Sequence, residues 1–555
     1  MTYVPSPSAL RAQLAAPHRS AGRHFLLPWL LLALLGSLWA VATPIGGSPD
    51  EPAHVVKAAS VVRGELLPSE MIATGGVLHV PAAYAAEYAQ GCFAFFAEVP
   101  ASCAPGFTGD PSEIVETYSS ASLYNPVYYV LVGWPSLVLP DTIGIYAMRI
   151  MSAVLTSLFL AAAFWVVAAW RLPRVPSLGI LIGTTPIVLY LMGTVNPNAL
   201  EFTGGLALFA AMLGIVLDPQ PRLLGSRLAL VVVASALVSN TRGISPLWVA
   251  LLLVLPLLLL TGRELGALLK KPGVIISILL IGITAAFSAW WTLSSNSLGT
   301  GPSTGPEIVQ TNPGVGLTPV EGFIGELGNT YLRLRQMVGI LGWLDTPLSP
   351  PLYYIAYALF GLLVLGVIVF VRGRKLVFLA VLALAFFFLP AFIQSFYVTK
   401  GGYIWQGRYT LVLMMALLLG MAACIAASDR FVRWQQRLDE HGVARRGARG
   451  TVTVLAWLAG IAWAFIVSWA FLTTMRRMTV GYSVDWLQMF EPGAWEPPLG
   501  ALPLMIAFAV VALGLGVTVA AGFRDPRPEP VLEDWPADDR YPSSQPEGYA
   551  ASPRI

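Results

Sequence analysis

The chain has 555 residues, of which 56% are hydrophobic and only 11% charged, with a formal net charge of +3 and a mean hydropathy of +0.69. Soluble domains carry roughly 25% charged residues, so a soluble enzyme, a disordered chain and a fibrous protein are excluded, and so small a net charge gives a nucleic-acid partner no support. The apolar residues fall into long repeated blocks, the pattern of an all-α multi-pass membrane protein.

Residues 1–24 read as a cytoplasmic N-terminal segment, and 25–522 as the transmembrane domain. Ala40-Val41-Ala42 resembles a signal-peptidase site, but the long leader and the candidate residues just beyond favour an uncleaved first helix. A helix needs about 20 apolar residues to cross a bilayer. Blocks near that length fall at 25–45, 144–168, 178–194, 199–217, 227–240, 244–261, 273–293, 350–371, 376–397, 404–427, 451–473 and 502–522. Segment 124–140, with three prolines and three tyrosines, is ambiguous. If it does not cross, Arg171/Arg174, Arg222/Arg227, Arg263/Lys270/Lys271, Arg372/Arg374/Lys375 and the basic stretch Arg430–Arg449 all face the cytoplasm, as the positive-inside rule requires. The expectation is therefore twelve crossings with both termini inside, and 124–140 as a juxtamembrane or re-entrant helix on the outer face.

On that topology two long outer loops, 46–123 and 294–349, form an extracytoplasmic cap. A third outer segment near 473–501 carries Trp486 and Trp495. The tail 523–555, rich in proline and acids, reads as a disordered cytoplasmic tail. Cys92 and Cys103 share the first outer loop and can close a disulfide there. Cys424 lies in an apolar block. No Asn-x-Ser/Thr sequon occurs, which favours a bacterial membrane.

Residues able to carry chemistry cluster at the outer ends of the blocks. Ser48-Pro49-Asp50-Glu51-Pro52-Ala53-His54 follows the first helix directly. Ser48 and Glu51 have capping-box spacing, the bland reading. The functional reading is a membrane-surface carboxylate that accepts a hydroxyl proton or holds a divalent cation. Tyr124-Asn125-Pro126, followed by Tyr128-Tyr129, is either an interfacial aromatic belt or the wall of a sugar groove. Asn196 and Asn198, with Glu201 deeper, join two spans. Arg242 and the run Gln406-Gly407-Arg408-Tyr409 sit at other outer ends. Arg149, Arg242 and Arg408 on the outer side run against the charge rule. Each alone could snorkel, but guanidinium forks suit a lipid phosphate.

Together, Pro49-Asp50-Glu51-Pro52-x-His54, Asn125-Pro126-x-Tyr128-Tyr129, Asn196-Pro197-Asn198 and Gln406-Gly407-Arg408-Tyr409 resemble a bacterial family of multi-pass membrane proteins labelled as a domain of unknown function. That family is similar to the GT-C glycosyltransferases, which include protein mannosyltransferases and aminoarabinose transferases, and the resemblance covers roughly residues 25–475. It implies a GT-C-like bundle in the bacterial cytoplasmic membrane. It also implies a polyprenyl-phosphate sugar donor and an envelope glycan, lipid or protein acceptor. Sugar transfer would proceed with inversion on the outer face. Asp50 and Glu51 match the acidic base or metal position, where a divalent cation (Mg or Mn) is the cofactor. Arg408 and Arg242 would hold phosphate. His54, Tyr124, Asn125, Tyr128, Asn196, Asn198, Glu201, Gln406 and Tyr409 would line the substrate site. The chain has Tyr124-Asn125-Pro126 where some relatives have His-Pro-Pro, so acceptor contacts do not carry over. The rival readings are a transporter or flippase, which would place polar groups near the midplane, and a non-catalytic assembly protein.

Overall fold

The computed structural model describes residues 18–72, 75–297, 312–440 and 448–523. The expected tail and most of the N-terminal segment lie outside these residues, as does part of the basic stretch at 430–449.

The described chain is an all-α multi-pass membrane protein with a small sheet at one end. The long helices are α1 His18–Ala42, then α2 Glu51–Val61 lying across its exit. Strands β1 Met71–Ile72, β2 Gly75–Pro81 and β3 Ile114–Ser119 follow, with the short helices α3 Val127–Gly133 and α4 Pro135–Val138. Next come α5 Thr142–Ala168, α6 Arg174–Gly183, α7 Pro186–Met192, α8 Pro197–Leu217, α9 Leu224–Ser239, α10 Ser245–Val254 and α11 Pro272–Ser294. The second half has α12 Pro319–Gly328, α13 Thr330–Gly339, α14 Pro350–Phe370, α15 Arg374–Gly401, α16 Leu411–Ala426, α17 Ala448–Thr479 and α18 Ala501–Gly522.

Among the described residues ten helices are long and apolar enough to cross a membrane, or eleven if the bent pair α6–α7 is one span. Block 244–261 is shorter in the structure, an apolar helical stretch Ser245–Leu259, so the twelve expected crossings are not all matched by helices of spanning length. Block 178–194 is no straight span either. It bends by 70° between Gly183 and Pro186, because a proline ring cannot continue the preceding turn.

Segment 124–140 breaks into α3 and α4. Seven residues of helix rise only about 10 Å, a third of a bilayer core of about 30 Å, so neither crosses. Helix α3 lies on α2 at Gly133, where a Cβ would come within 2.4 Å of the Ala58 carbonyl oxygen. Only glycine permits that approach.

The sheet was not anticipated from the sequence. Strands β2 and β3 pair antiparallel from Gly76↔Ser119 to Pro81↔Ile114. Alternate residues of β3 are exposed, the period-2 pattern of a half-buried strand. Cys92 and Cys103 are bonded, with Cα atoms 6.2 Å apart. The hoop they close wraps the buried Arg477, which donates to the carbonyls of Phe93 (2.7 Å), Phe96 (3.2 Å) and Val99 (2.8 Å) and to Asp345 Oδ2 (2.6 Å). One guanidinium thus ties both long loops to the end of α17.

Candidate functional site

The residue before α2, Asp50, has φ 63° and ψ −4°, a left-handed conformation that Asp and Asn tolerate better than most residues. The segment leading into it is fixed from several sides. Tyr190 donates to the Gly47 carbonyl (2.8 Å), Ser48 Oγ donates to Tyr190 (3.1 Å), and Asn196 Nδ2 reaches the Pro49 carbonyl (3.5 Å). The capping box expected from Ser48 and Glu51 does not form. Asp50 occupies the N-cap position and makes no side-chain cap bond, because Ser48 is turned to Tyr190 and Glu51 is drawn inward.

The structure separates the two adjacent acids. Glu51 is fully buried and forms a bidentate pair with Arg149, Nε to Oε1 at 2.8 Å and Nη2 to Oε2 at 2.5 Å. Its Oε1 also accepts from the Val195 amide at 2.9 Å. Arg149 further donates to the carbonyls of Ala40, Thr43 and Pro44. A guanidinium has five N–H donors, and all are engaged, so Arg149 is not a phosphate ligand. It staples the end of α1 to α5 and to the start of α2.

Asp50 is different. Its side chain is 48% exposed, and its carboxylate accepts from Arg408 Nη2. Partial burial raises its pKa, but Arg408, aided by Arg242, more than offsets that and holds the carboxyl below its usual value. It is ionised and reachable at neutral pH.

Tyr409 organises the cationic side of the site. The Arg242 guanidinium lies over its ring at 4.3 Å and that of Arg408 at 5.3 Å. Arg408 Nε and Arg242 Nη1 are buried without a hydrogen-bond partner among the described residues. A cavity of about 180 Å³ opens on the Arg242 side of Tyr409, lined by Tyr124, Asn125, Arg242, Trp291, Trp405 and Tyr409, among others, with Arg408 and Asp50 outside its lining. Two guanidiniums on one ring repel each other, and each keeps an unmet buried donor. Buried polar groups are normally satisfied; these donors remain open although Asp50 faces Arg408 and Glu201 faces Arg242.

His54, one helical turn after Asp50, is buried and pairs through Nδ1 with the Tyr129 hydroxyl at 2.8 Å. Its ring lies 5.7 Å from that of Tyr124. Burial first, then Arg408 and Arg242, push its pKa down to about 3 against the opposing pull of Asp50. It is a neutral wall.

Several other candidates hold the fold around the site. Asn125 Oδ1 accepts from the Val127 amide at 3.1 Å and its amide donates to Asn240 (2.7 Å), an Asx turn that leads into α3. Tyr128 is fully buried against Ser152 Oγ at 3.0 Å. Asn196 caps α8. Glu201 accepts from Ser245 behind Arg242, and Asn198 lies beside it. Gln406 leads into Arg408 with its Oε1 buried and without a partner among the described residues.

A divalent cation does not fit these residues. The charged neighbours of Asp50 are Arg408 and Arg242 and that of Glu51 is Arg149, all of which repel a dication. Among the described residues no three His, Cys, Asp or Glu side chains come together.

Sequence reading missed two groups nearby. Glu87 is buried with one oxygen accepting from the Gly46 amide (3.4 Å). Burial first, then the Glu51 carboxylate, push its pKa up against the pull of Arg149, and its Oε2 is buried without a hydrogen-bond partner among the described residues. Lys57 is fully buried and donates to the carbonyls of Leu66 (2.6 Å) and Ser122 (2.5 Å), fastening both ends of the sheet region to α2. Neither has a local sequence signal, since their partners are remote or backbone.

No curated protein matches the chain. The solved structure of ArnT from Cupriavidus metallidurans bound to undecaprenyl phosphate is similar to it with a TM-score of 0.40 and 13% identity, over 89% of this chain and 76% of that one. The family model described as "Predicted membrane protein (DUF2142)" matches residues 32–417. That match spans most of the helices and every candidate residue described above, and the chain belongs to the DUF2142 family.

Proposed function

We propose that the chain transfers a sugar from a polyprenyl-phosphate donor to an envelope glycan, lipid or protein acceptor on the extracytoplasmic face of a bacterial cytoplasmic membrane. The observation that carries this reading is the pairing of a reachable carboxylate, Asp50, with two guanidiniums that hold unmet donors around Tyr409. Two of the motifs that carry the family resemblance fall on Asp50 and on Arg408-Tyr409. The loop-rich end that holds them is the one the positive-inside rule places outside.

The chemistry is a direct displacement. Asp50 takes the proton of the acceptor hydroxyl while that oxygen attacks the anomeric carbon. The bond from that carbon to the phosphate oxygen breaks, and the electron pair leaves with the polyprenyl phosphate. The configuration inverts. Arg408 and Arg242 hold the charge that grows on the leaving phosphate. Arg408 links the two halves. A bound phosphate competes with Asp50 for its guanidinium, and its own negative charge raises the Asp50 pKa. Asp50 thus becomes a stronger base when donor is present.

Binding of undecaprenyl phosphate to purified variants tests this. Arg408→Ala should bind about tenfold to a hundredfold more weakly, the loss of a charge-assisted hydrogen bond. Arg408→Lys should fall between it and the parent, since lysine keeps charge without the fork. Parental affinity in both variants would reduce Arg408 to a structural partner of Asp50 and remove the basis of the proposal.

A further inference from the structure

Arg408 lies in the connection between α15 and α16, and that connection is clamped by two glutamines from different parts of the chain. Gln394, 1% exposed within α15, uses both ends of its amide. Nε2 donates to the Gly402 carbonyl at 2.7 Å, and Oε1 accepts from the Trp405 amide at 3.0 Å. Gln336, on α13 in the second long loop, accepts from the Gly407 amide through Oε1 at 2.7 Å. Gly407 immediately precedes Arg408. A Cβ there would come 2.6 Å from the Gln336 Cβ and 2.7 Å from the Arg333 carbonyl oxygen, so helix and loop backbone touch directly.

Helix α13 is itself held in place. Arg333 forms a bidentate pair with Glu326 of α12, Nε to Oε1 at 2.7 Å and Nη2 to Oε2 at 2.8 Å, and its Nη1 reaches Gln336 Oε1 at 3.5 Å. Glu326 is 2% exposed and Arg333 11%, so this pair is little screened by water. From the far side of α13, Thr185 Oγ1 donates to the Met337 carbonyl at 2.7 Å. A line of contacts thus runs from Glu326 through Arg333 and Gln336 to Gly407, and ends at the guanidinium facing Asp50.

We infer that Gln336 is a positioning residue for Arg408, so that helices α12–α13 set where the Arg408 guanidinium lies relative to Asp50 and to an anion bound beside it. The lipid-binding part of this inference rests on the function proposed above; the positioning part does not. Gln336 reaches the Arg408 backbone through the Gly407 amide.

The test uses the full-length protein in detergent, with two readouts on Gln336→Leu and Gln336→Glu. Leucine removes the acceptor and leaves the Gly407 amide buried without a partner. Glutamate keeps an acceptor oxygen at the same reach. Hydrogen exchange of the amides in 402–410 should speed up by about tenfold in Gln336→Leu and return toward the parent in Gln336→Glu. Undecaprenyl phosphate binding should weaken and recover in the same order, with thermal midpoints close to the parent. If Gln336→Leu does not fold, Gly407→Ala strikes the same contact from the other side and should speed the same amides. Parental exchange in 402–410 in the variant that folds would overturn the inference. Faster exchange in a protein whose parent binds no undecaprenyl phosphate would uphold the positioning and end the donor reading.

Discussion

Asp50→Asn should leave the protein folded and able to bind donor lipid, while sugar transfer falls by roughly 10²-fold or more, the usual size of a lost general base. The substitution is clean for structural reasons. Asparagine tolerates the left-handed backbone that position 50 requires. No cap bond is lost, because Asp50 makes none. Arg408 is buried while Asp50 is half exposed, and the asparagine Oδ1 can still accept from the guanidinium, so the contact is weakened rather than removed. Losing the carboxylate frees Arg408, so donor affinity should hold or rise. Turnover from a polyprenyl-phosphate sugar, measured in membranes at matched protein levels, separates the outcomes. Near-parental transfer would remove Asp50 from the chemistry.

The neighbouring residue should behave in the opposite way. Glu51→Gln keeps shape but leaves Arg149 charged and fully buried without its counter-ion, a change worth roughly 3–5 kcal/mol for a buried pair. The expected result is little folded protein, or a sharply lowered unfolding midpoint in detergent, whatever the activity assay reads. Arg149 also satisfies the carbonyls of Ala40, Thr43 and Pro44, so replacing both partners with apolar residues should not fully rescue. A stable, parental Glu51→Gln variant would show that the Glu51–Arg149 pair is not the staple between α1, α2 and α5.

The contrast between these adjacent acids shows what could be read in advance. The spans were legible because bilayer thickness imposes long apolar blocks. The break at 124–140 was legible because its prolines and the basic loops point the same way. The clustering of Asp50, Arg242, Arg408 and Tyr409 was legible as a set of polar residues at one end of the spans. What was not legible depends on partners far away in sequence. Nothing near Glu51 announces Arg149, and the same two letters fit a capping box, a metal site and a buried ion pair. Asn before Pro suits a substrate contact and a local backbone bond alike, and Asn196 caps α8 while Asn125 closes a turn ahead of α3. The strands β2 and β3 lie 33 residues apart from Pro81 to Ile114, with the disulfide hoop between them, so no hairpin signal links them. Gln336 and Gln394 act on backbone groups, which carry no sequence identity at all.

On the proposed function, the unmet donors of Arg408 and Arg242 receive the phosphate of a polyprenyl carrier beside Asp50. The most direct measurement is an experimental structure of the full chain in lipid nanodiscs with undecaprenyl phosphate added. The account predicts phosphate oxygens within hydrogen-bonding distance of both guanidiniums, Arg408 shared between the phosphate and Asp50, and the isoprenoid entering past Trp291 and Trp405. A phosphate bound elsewhere, with Arg408 still closed on Asp50 alone, would contradict it.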